Sequence, residues 1–409
     1  MVMTVAALEA EKAGFARIAA PCPSFGTCGG CSLQDLAYAD QLLLKRRRLE
    51  RLLEPLGSVP AFEITGLDDP WRYRNKAEFT FGSSGGHVTL GYHAARSYWR
   101  TVDLEDCLLL PEAAMRAVRE VRALAEETGL PAYHPRTHQG FFRYAVVRHS
   151  VSTGRIMLSI VTASRTPSGG DPRSLLEGMA ARLMERHDAV SGVSWGMTDR
   201  PADIAQAETL VRLAGGEHLE EQLGPFTLQL LPGSFLQPNA ALAHRMYATL
   251  QGWIGERRPE IAWDLYCGVG LVAFYLSQVA RRVYAIESQP RHLELARLNA
   301  AANGIANVEF REGSVEEVLS DRRFWLQEAR PDVIAVDPPR AGLHERALSS
   351  ILAARPAALA YVSCNAQTLA RDLAVLTSSF PRYRLTRLHG FDLFPHTNHV
   401  ELLALLERG

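Results

Sequence analysis

"WDLYCGVGLVAFYL", residues 263–276, places a glycine-rich turn between an apolar strand and a helix. Gly268 and Gly270 let the backbone approach a ligand closely and take unusual φ values. A G-x-G alone also suits an ordinary structural βα turn. The next apolar run, "RVYAIES", ends in Glu287, 23 residues after Asp264. An acid at that place accepts both hydroxyls of a ribose, as in dinucleotide sites. The two features together point to a nucleotide crevice. The full G-x-G-x-x-G is absent, because Ala273 stands three residues after Gly270. Asp264 at the strand end, followed by the short G-x-G, suits S-adenosylmethionine better than a nicotinamide dinucleotide.

Outward from this turn, apolar strands alternate with helical stretches: "IAWDL", "RVYAIE", "VEFRE", "DVIAVD" and "ALAYVS". Such alternation is the signature of βαβ units and a doubly wound, Rossmann-like α/β sheet. Pro232-Gly233 punctuates the chain, so the expected units are residues 1–232 and 233–409. The first half reads as α+β with an antiparallel sheet. It holds a cysteine loop, the amphipathic stretch "ADQLLLKRRRLERLLEPLG" (39–57), and hairpins at "AEFTFGSSGGHVTLGYH" and "YAVVRHSVSTGRIMLSIV".

The formal net charge of −1 argues against a nonspecific polyanion binder while leaving room for local patches. No apolar run is long enough to span a bilayer, and the start lacks the basic region and apolar core of a signal peptide. A cytoplasmic protein is expected. Six cysteines in 409 residues are too few for a disulfide scaffold. Cys22, Cys28 and Cys31 cluster, with Cys107 as a distant fourth, and such clusters suggest a metal or catalysis.

Two further strand ends carry chemistry. "VDPPRAGL" (336–343) puts Asp337 before two prolines that force an extended turn. In "YVSCNAQTLARDL" (361–373), Cys364 sits where a strand turns into a helix. A buried cysteine is usually an inert small hydrophobe. At the carboxyl end of a strand in an open sheet, however, it faces the ligand crevice.

"SFLQPN" (234–239), "DLYCGVG" (264–270), "DPPRAGL" (337–343), "SCNAQTLARDL" (363–373) and "FDLFPHTNHVELLALLER" (391–408) occur in that order. As a set they closely resemble the bacterial RNA uracil-C5 methyltransferases, which make 5-methyluridine in ribosomal or transfer RNA. "CPSFGTCGGCSLQDL", "WRYRNKAEF" and "VVRHSVSTG" extend the resemblance into the first half. It implies that Cys364 is the nucleophile and Glu401 the general base. It implies that Gln237, Tyr266, Glu287 and Asp337 line the pocket for S-adenosylmethionine and uracil, with Ser314 of "REGSVEE" on the cofactor side and Gly268 in the cofactor turn. "SCNA" replaces the commoner "SCNP". Phe235 and Tyr266 are candidates to pack on a flipped base or the cofactor, with core packing the alternative for Phe235. His396 and His399 read as structural.

The chemistry requires these residue types. Uracil C5 is a poor nucleophile until a thiolate adds at C6 and turns the ring into an enolate. The thiol pKa is therefore expected to be lowered near the following helix N-terminus. After methylation C5 still carries a proton, which a carboxylate must remove before the thiol leaves. A base stacked in folded RNA must first be extruded into the pocket.

Cys22, Cys28, Cys31 and Cys107 suit zinc or an iron–sulfur cluster, and the paired C-x2-C motifs of a zinc ribbon are missing. The resemblance implies a 4Fe–4S cluster, because the family's iron–sulfur branch shows this spacing and the "DC" found in "LEDCLLLP". Only 21 residues precede Cys22, too few for the N-terminal β-barrel of some members. That likens the chain to the shorter members acting on 23S rRNA. Arg72, Arg74 and Lys76 alternate with Trp71 and Tyr73 along an expected strand, a pattern suited to an RNA face that Arg143 and Arg148 extend. Lys45–Arg48 suits a solvated helix face as well as RNA. The alternatives are a tRNA uracil-C5 enzyme, an RNA cytosine-C5 methyltransferase, and a non-catalytic RNA-binding or folding factor. Cytosine enzymes arrange their motif cysteines differently, and Cys364 with Glu401 argues against an idle protein.

Overall fold

A computed structural model describes residues 5–201, 205–321, 323–325 and 329–409. The strands, in chain order, are β1 (Ile64–Thr65), β2 (Lys76–Ser84), β3 (His87–His93), β4 (Thr101–Asp103), β5 (Phe142–His149), β6 (Ile156–Thr162), β7 (Val190–Met197) and β8 (Thr209–Gly215). They continue with β9 (Leu219–Leu223), β10 (Phe226–Leu230), β11 (Ile261–Leu265), β12 (Arg282–Glu287), β13 (Val308–Glu312), β14 (Val333–Val336), β15 (Ala358–Ser363), β16 (Tyr383–Phe391) and β17 (Glu401–Arg408).

The larger sheet has the order β1-β16-β17-β15-β14-β11-β12-β13. Strands β11 to β15 are parallel, and β17 runs antiparallel to both its neighbours. Helices cover both faces, so β14 and β15 are buried throughout and read as unbroken apolar runs. One face packs Trp263 and Tyr284 around Phe324, with ring centroids 5.5 and 5.4 Å apart. The other packs the wholly buried helix Leu271–Ser277 and the helix Ala240–Gly255. Each such large side chain contributes roughly 1.5–3 kcal/mol through burial. The chain leaves β11 first toward β12 and β13, then returns to β14 on the other side. That reversal opens a crevice at the strands' carboxyl ends. Gly270 caps helix Leu271–Ser277 at φ +91°, where a Cβ would lie 2.9 Å from the Phe274 ring. Only glycine suits that turn.

The second sheet has the order β4-β3-β2-β5-β6-β7-β8. It is antiparallel except for β6 and β7, which run parallel across the helix Arg173–Arg186. A parallel pair needs such a crossover, and the hairpin reading of this half passed over it.

The boundary at residue 232 does not separate the packing. The helix Tyr38–Leu53 and β1 belong with the larger sheet: Ile64 and Thr65 pair with Gly390 and Phe391, and Leu49, Leu53 and Phe62 share a core with Trp263 and Tyr361. Two of the four cations in the basic run on this helix are spent internally, while Arg46 and Arg47 are exposed. Lys45 Nζ donates to Asp392 Oδ1 (2.5 Å) and to the Phe394 carbonyl (3.2 Å), while Arg48 binds Glu11 and Asn398. Among the described residues no helix is long and apolar enough to cross a membrane.

Candidate active site

The crevice floor is the G-x-G turn. Glu287, at the end of β12, accepts the Gly268 amide (3.0 Å) and the Gln289 amide (2.8 Å). Burial would raise its carboxyl, yet these bonds and His292 hold it below the ordinary range. Tyr266 follows β11 at φ +70°, a left-handed conformation that is uncommon for a bulky residue, and its hydroxyl donates to Glu316 (3.3 Å). Ser314 is the N-cap of helix Val315–Ser320 in a capping box with Glu317, so its hydroxyl oxygen already accepts an amide.

Two buried acids and one half-buried acid converge above this floor. Asp264 lies within β11, Asp337 just follows β14, and Glu401 opens β17. Asp264 and Glu401 are 0 % and 1 % exposed. Among the described residues none of their four carboxylate oxygens makes a hydrogen bond of ordinary geometry; the Ala273 amide approaches Asp264 only weakly. Burial, reinforced by the Asp337 charge, pushes both carboxyls well above the usual range. Burial raises Asp337 to about 7. Buried acids without partners are costly, which marks a place built for a ligand.

Cys364 stands between β15 and the helix Ala366–Ser378. Asn365 caps that helix, and its Nδ2 also donates to the Arg340 carbonyl (2.9 Å), tying the nucleophile turn to the "DPPR" loop. The thiol pKa is not lowered, contrary to the sequence expectation. Burial raises it to about 11, the Glu401 and Asp337 charges add to this, and Arg340 opposes them. The helix N-terminus does not outweigh neighbouring acids in a desolvated site. Gly342 keeps the end of this loop close to its neighbours: a Cβ there would meet Asp372 Oδ2 at 2.7 Å, the same oxygen that accepts the Leu343 amide and the Tyr361 hydroxyl.

The smaller sheet delivers Gln237. Asn75 donates its backbone amide to the Pro238 carbonyl (2.9 Å) and Nδ2 to the Gln237 carbonyl (2.9 Å). The Gln237 side chain hydrogen-bonds Tyr247, which lies among Asp337, Glu401 and Asp264. Phe235 is 60 % exposed and takes no part in the core. Tyr247 and Arg340 were absent from the sequence-derived site. Arg340 was visible inside "DPPRAGL", whereas Tyr247 lies in an ordinary apolar helix pattern and gave no signal.

Of the cations expected on a basic RNA face, Arg143 and Arg148 are buried, and Arg72, Arg74 and Lys76 are half-buried. Residues 71–75 precede β2 rather than extending it, and Arg72 bends the chain at φ +53°. Arg72 grips Asp106 and the Cys107 and Leu110 carbonyls, and Lys76 pairs with Glu78 (2.8 Å). Arg74 turns inward and donates to the Lys76 carbonyl (2.8 Å). Arg143, 2 % exposed, donates to the Thr198 carbonyl, and Arg148, 1 % exposed, to that of Ser234. Arg143 and Arg148 thus hold loops instead of facing solvent. His396 is clamped by Gln41 and stacks on Trp71 (3.8 Å), while His399 packs edge-on against Phe394.

Cys22, Cys28, Cys31 and Cys107 line one cavity with Arg74 and Tyr92. Among the described residues no three His, Cys, Asp or Glu side chains are placed to hold a single metal ion.

The chain is 34% identical to an uncharacterised RNA methyltransferase of Halalkalibacterium halodurans, over 96% of this chain and 84% of that protein. It is likewise 34% identical to one of Caldanaerobacter subterraneus subsp. tengcongensis, over 97% and 86%. Residues 217–409 match the sequence profile of the tRNA (Uracil-5-)-methyltransferase family. The chain belongs to the RNA methyltransferases. Its fold is also that of the Pyrococcus abyssi tRNA (uracil-54, C5)-methyltransferase, solved in complex with S-adenosyl-L-homocysteine: the TM-score is 0.73 at 28% identity, covering 94% of this chain and 86% of that one. The matched uracil-5-methyltransferase segment contains Cys364 and all three convergent acids, Asp264, Asp337 and Glu401.

Proposed function

We propose that this chain methylates C5 of uridine in RNA, most directly 23S rRNA, through a covalent bond between Cys364 Sγ and uracil C6. The observation that carries the reading is the meeting of one thiol with Glu401, a fully buried acid without a hydrogen-bond partner among the described residues, and with Asp337, at the carboxyl ends of β14 and β15 and the start of β17. S-adenosylmethionine supplies the methyl group. Its sulfonium and ammonium charges are what a crevice of uncompensated acids suits, and Gln237, Tyr266, Gly268, Glu287, Ser314 and Asp337 are its proposed neighbours. Cys364 gives its proton to solvent water, adds to C6 as a thiolate and makes C5 nucleophilic. Once C5 is methylated, Glu401 takes the C5 proton and the Cys364–C6 bond breaks. Asp337 and Tyr247 border the same space and position the base.

The four cysteines are proposed to hold a 4Fe–4S cluster, whose chemistry here is structural. What supports the reading is that four cysteines, the donor set a cluster uses, line one cavity. The loop they anchor joins both halves: the Ser32 and Leu33 amides donate to the His396 carbonyl, and the Gly29 amide to that of His93.

Transfer RNA is the competing substrate, favoured by the profile's description and by the Pyrococcus abyssi enzyme. Mass mapping of 5-methyluridine in ribosomal and transfer RNA, from cells with the gene, without it, and with Cys364→Ala, decides between them. At least one uridine of 23S rRNA should lose its methyl group in the last two. Loss confined to tRNA would move the assignment, and no loss in either would reject it.

A further inference from the structure

The loop Ala94–Arg100, between β3 and β4, presents large rings to solvent. Tyr98 is 62 % and Trp99 42 % exposed. Arg136, from the loop before β5, lies with its guanidinium 4.7 Å from the Trp99 ring centre and 6.0 Å from that of Tyr98. Among the described residues no carboxylate pairs with Arg96, Arg100 or Arg136. The surrounding chain is free of acids: no Asp or Glu occurs between Glu78 and Asp103, or between Glu127 and Asp171. On a chain of net charge −1, that is a strong local segregation of positive charge. The loop is held in shape. The Ala94 amide donates to the Arg100 carbonyl (2.7 Å), and the Ala95 amide to that of Thr27 in the cysteine loop (2.8 Å).

We propose that Tyr98, Trp99 and Arg136, flanked by Arg96 and Arg100, form a face for a single-stranded segment of the substrate RNA. Rings stack on bases without reading sequence, and the guanidinium groups follow the phosphates. This rests on the reading of RNA as substrate and places the grip outside the methyl-transfer crevice. The anchoring to Thr27 also assigns the cysteine loop a task, that of fixing this face.

The test measures binding of a fluorescent oligouridylate, which needs no methyl transfer. Tyr98→Ala/Trp99→Ala should weaken it about 5- to 100-fold. Tyr98→Phe/Trp99→Phe, which keeps the rings, should bind within about threefold of the parent. Arg136→Gln should lower the slope of log affinity against log salt by about 1. Equal melting temperatures establish that the variants fold. Parental affinity in the Ala/Ala protein would overturn the proposal, as would equal loss in the Phe/Phe protein. So would polyglutamate displacing the RNA as well as unlabelled oligouridylate does, which would indicate a general acidic-polymer face. Failure here leaves uridine methylation standing. Conversely, an enzyme that binds RNA through these rings yet makes no 5-methyluridine would sink only the catalytic reading.

Discussion

Cys364 rests as a protonated thiol, and that state follows from its neighbours. Burial and two acids favour the neutral sulfur, while Arg340 acts on it in the opposite direction. A thiol raised to about 11 is almost wholly protonated at neutral pH, so its thiolate fraction climbs about tenfold per pH unit up to that value. Alkylation of Cys364 by iodoacetamide, followed by peptide mass spectrometry, should therefore accelerate steadily from pH 7 to 10. Arg340→Gln removes the favourable charge, so its profile should lie at higher pH and its rate at pH 8 should fall about 3- to 30-fold. An unchanged profile would remove Arg340 from thiol activation. Sequence reading located the thiol and its acids because their motif phrases lie at strand ends. It could not give the sign of the pKa shift, since Glu401 is 37 residues away along the chain and meets Cys364 only when β17 pairs with β15.

At the level of elements, the segment carrying Glu401 is held from outside its own sheet. Lys45 and Asp392, 1 % and 0 % exposed, form a buried pair joined by the Tyr38 hydroxyl (3.0 Å to Asp392). Breaking such a pair leaves an uncompensated buried charge. Lys45→Met should destabilise the protein by about 3–5 kcal/mol in urea unfolding, and adding Asp392→Leu should restore much of that. If Lys45→Met costs under about 1 kcal/mol, the clamp is not important. The helix containing Lys45 was readable from its apolar period, but its basic run was not, because a helical pattern does not tell which cation will be buried. "WRYRNKAEF" was misread for a similar reason. Alternating charge and aromatic residues imitates a strand, yet Arg72 turns the chain and sends its side chain to Asp106.

For the whole molecule, the parallel strands β11 to β15 were legible as apolar runs between helices. The insertion of β1 beside β16 was not, since two residues carry no periodicity and their pairing spans more than 320 positions. The cysteine loop follows the same logic of distant joining, touching β3, β4's preceding loop and the His396 turn. Protein purified without oxygen should be brown and contain iron with acid-labile sulfide. Cys22→Ser, Cys28→Ser, Cys31→Ser and Cys107→Ser should each lower both and reduce the melting temperature. Stoichiometric zinc without sulfide would instead favour the simpler metal.

The central claim is an order of events in which Cys364 bonds to C6 first and Glu401 acts only after C5 is methylated. Glu401→Gln keeps size and shape but removes the base. Incubated with RNA and S-adenosylmethionine, this variant should accumulate a methylated protein–RNA complex that survives a denaturing gel and vanishes when Cys364→Ala is added. Turnover at the parental rate, or a well-folded, RNA-binding variant that traps nothing, would contradict the account.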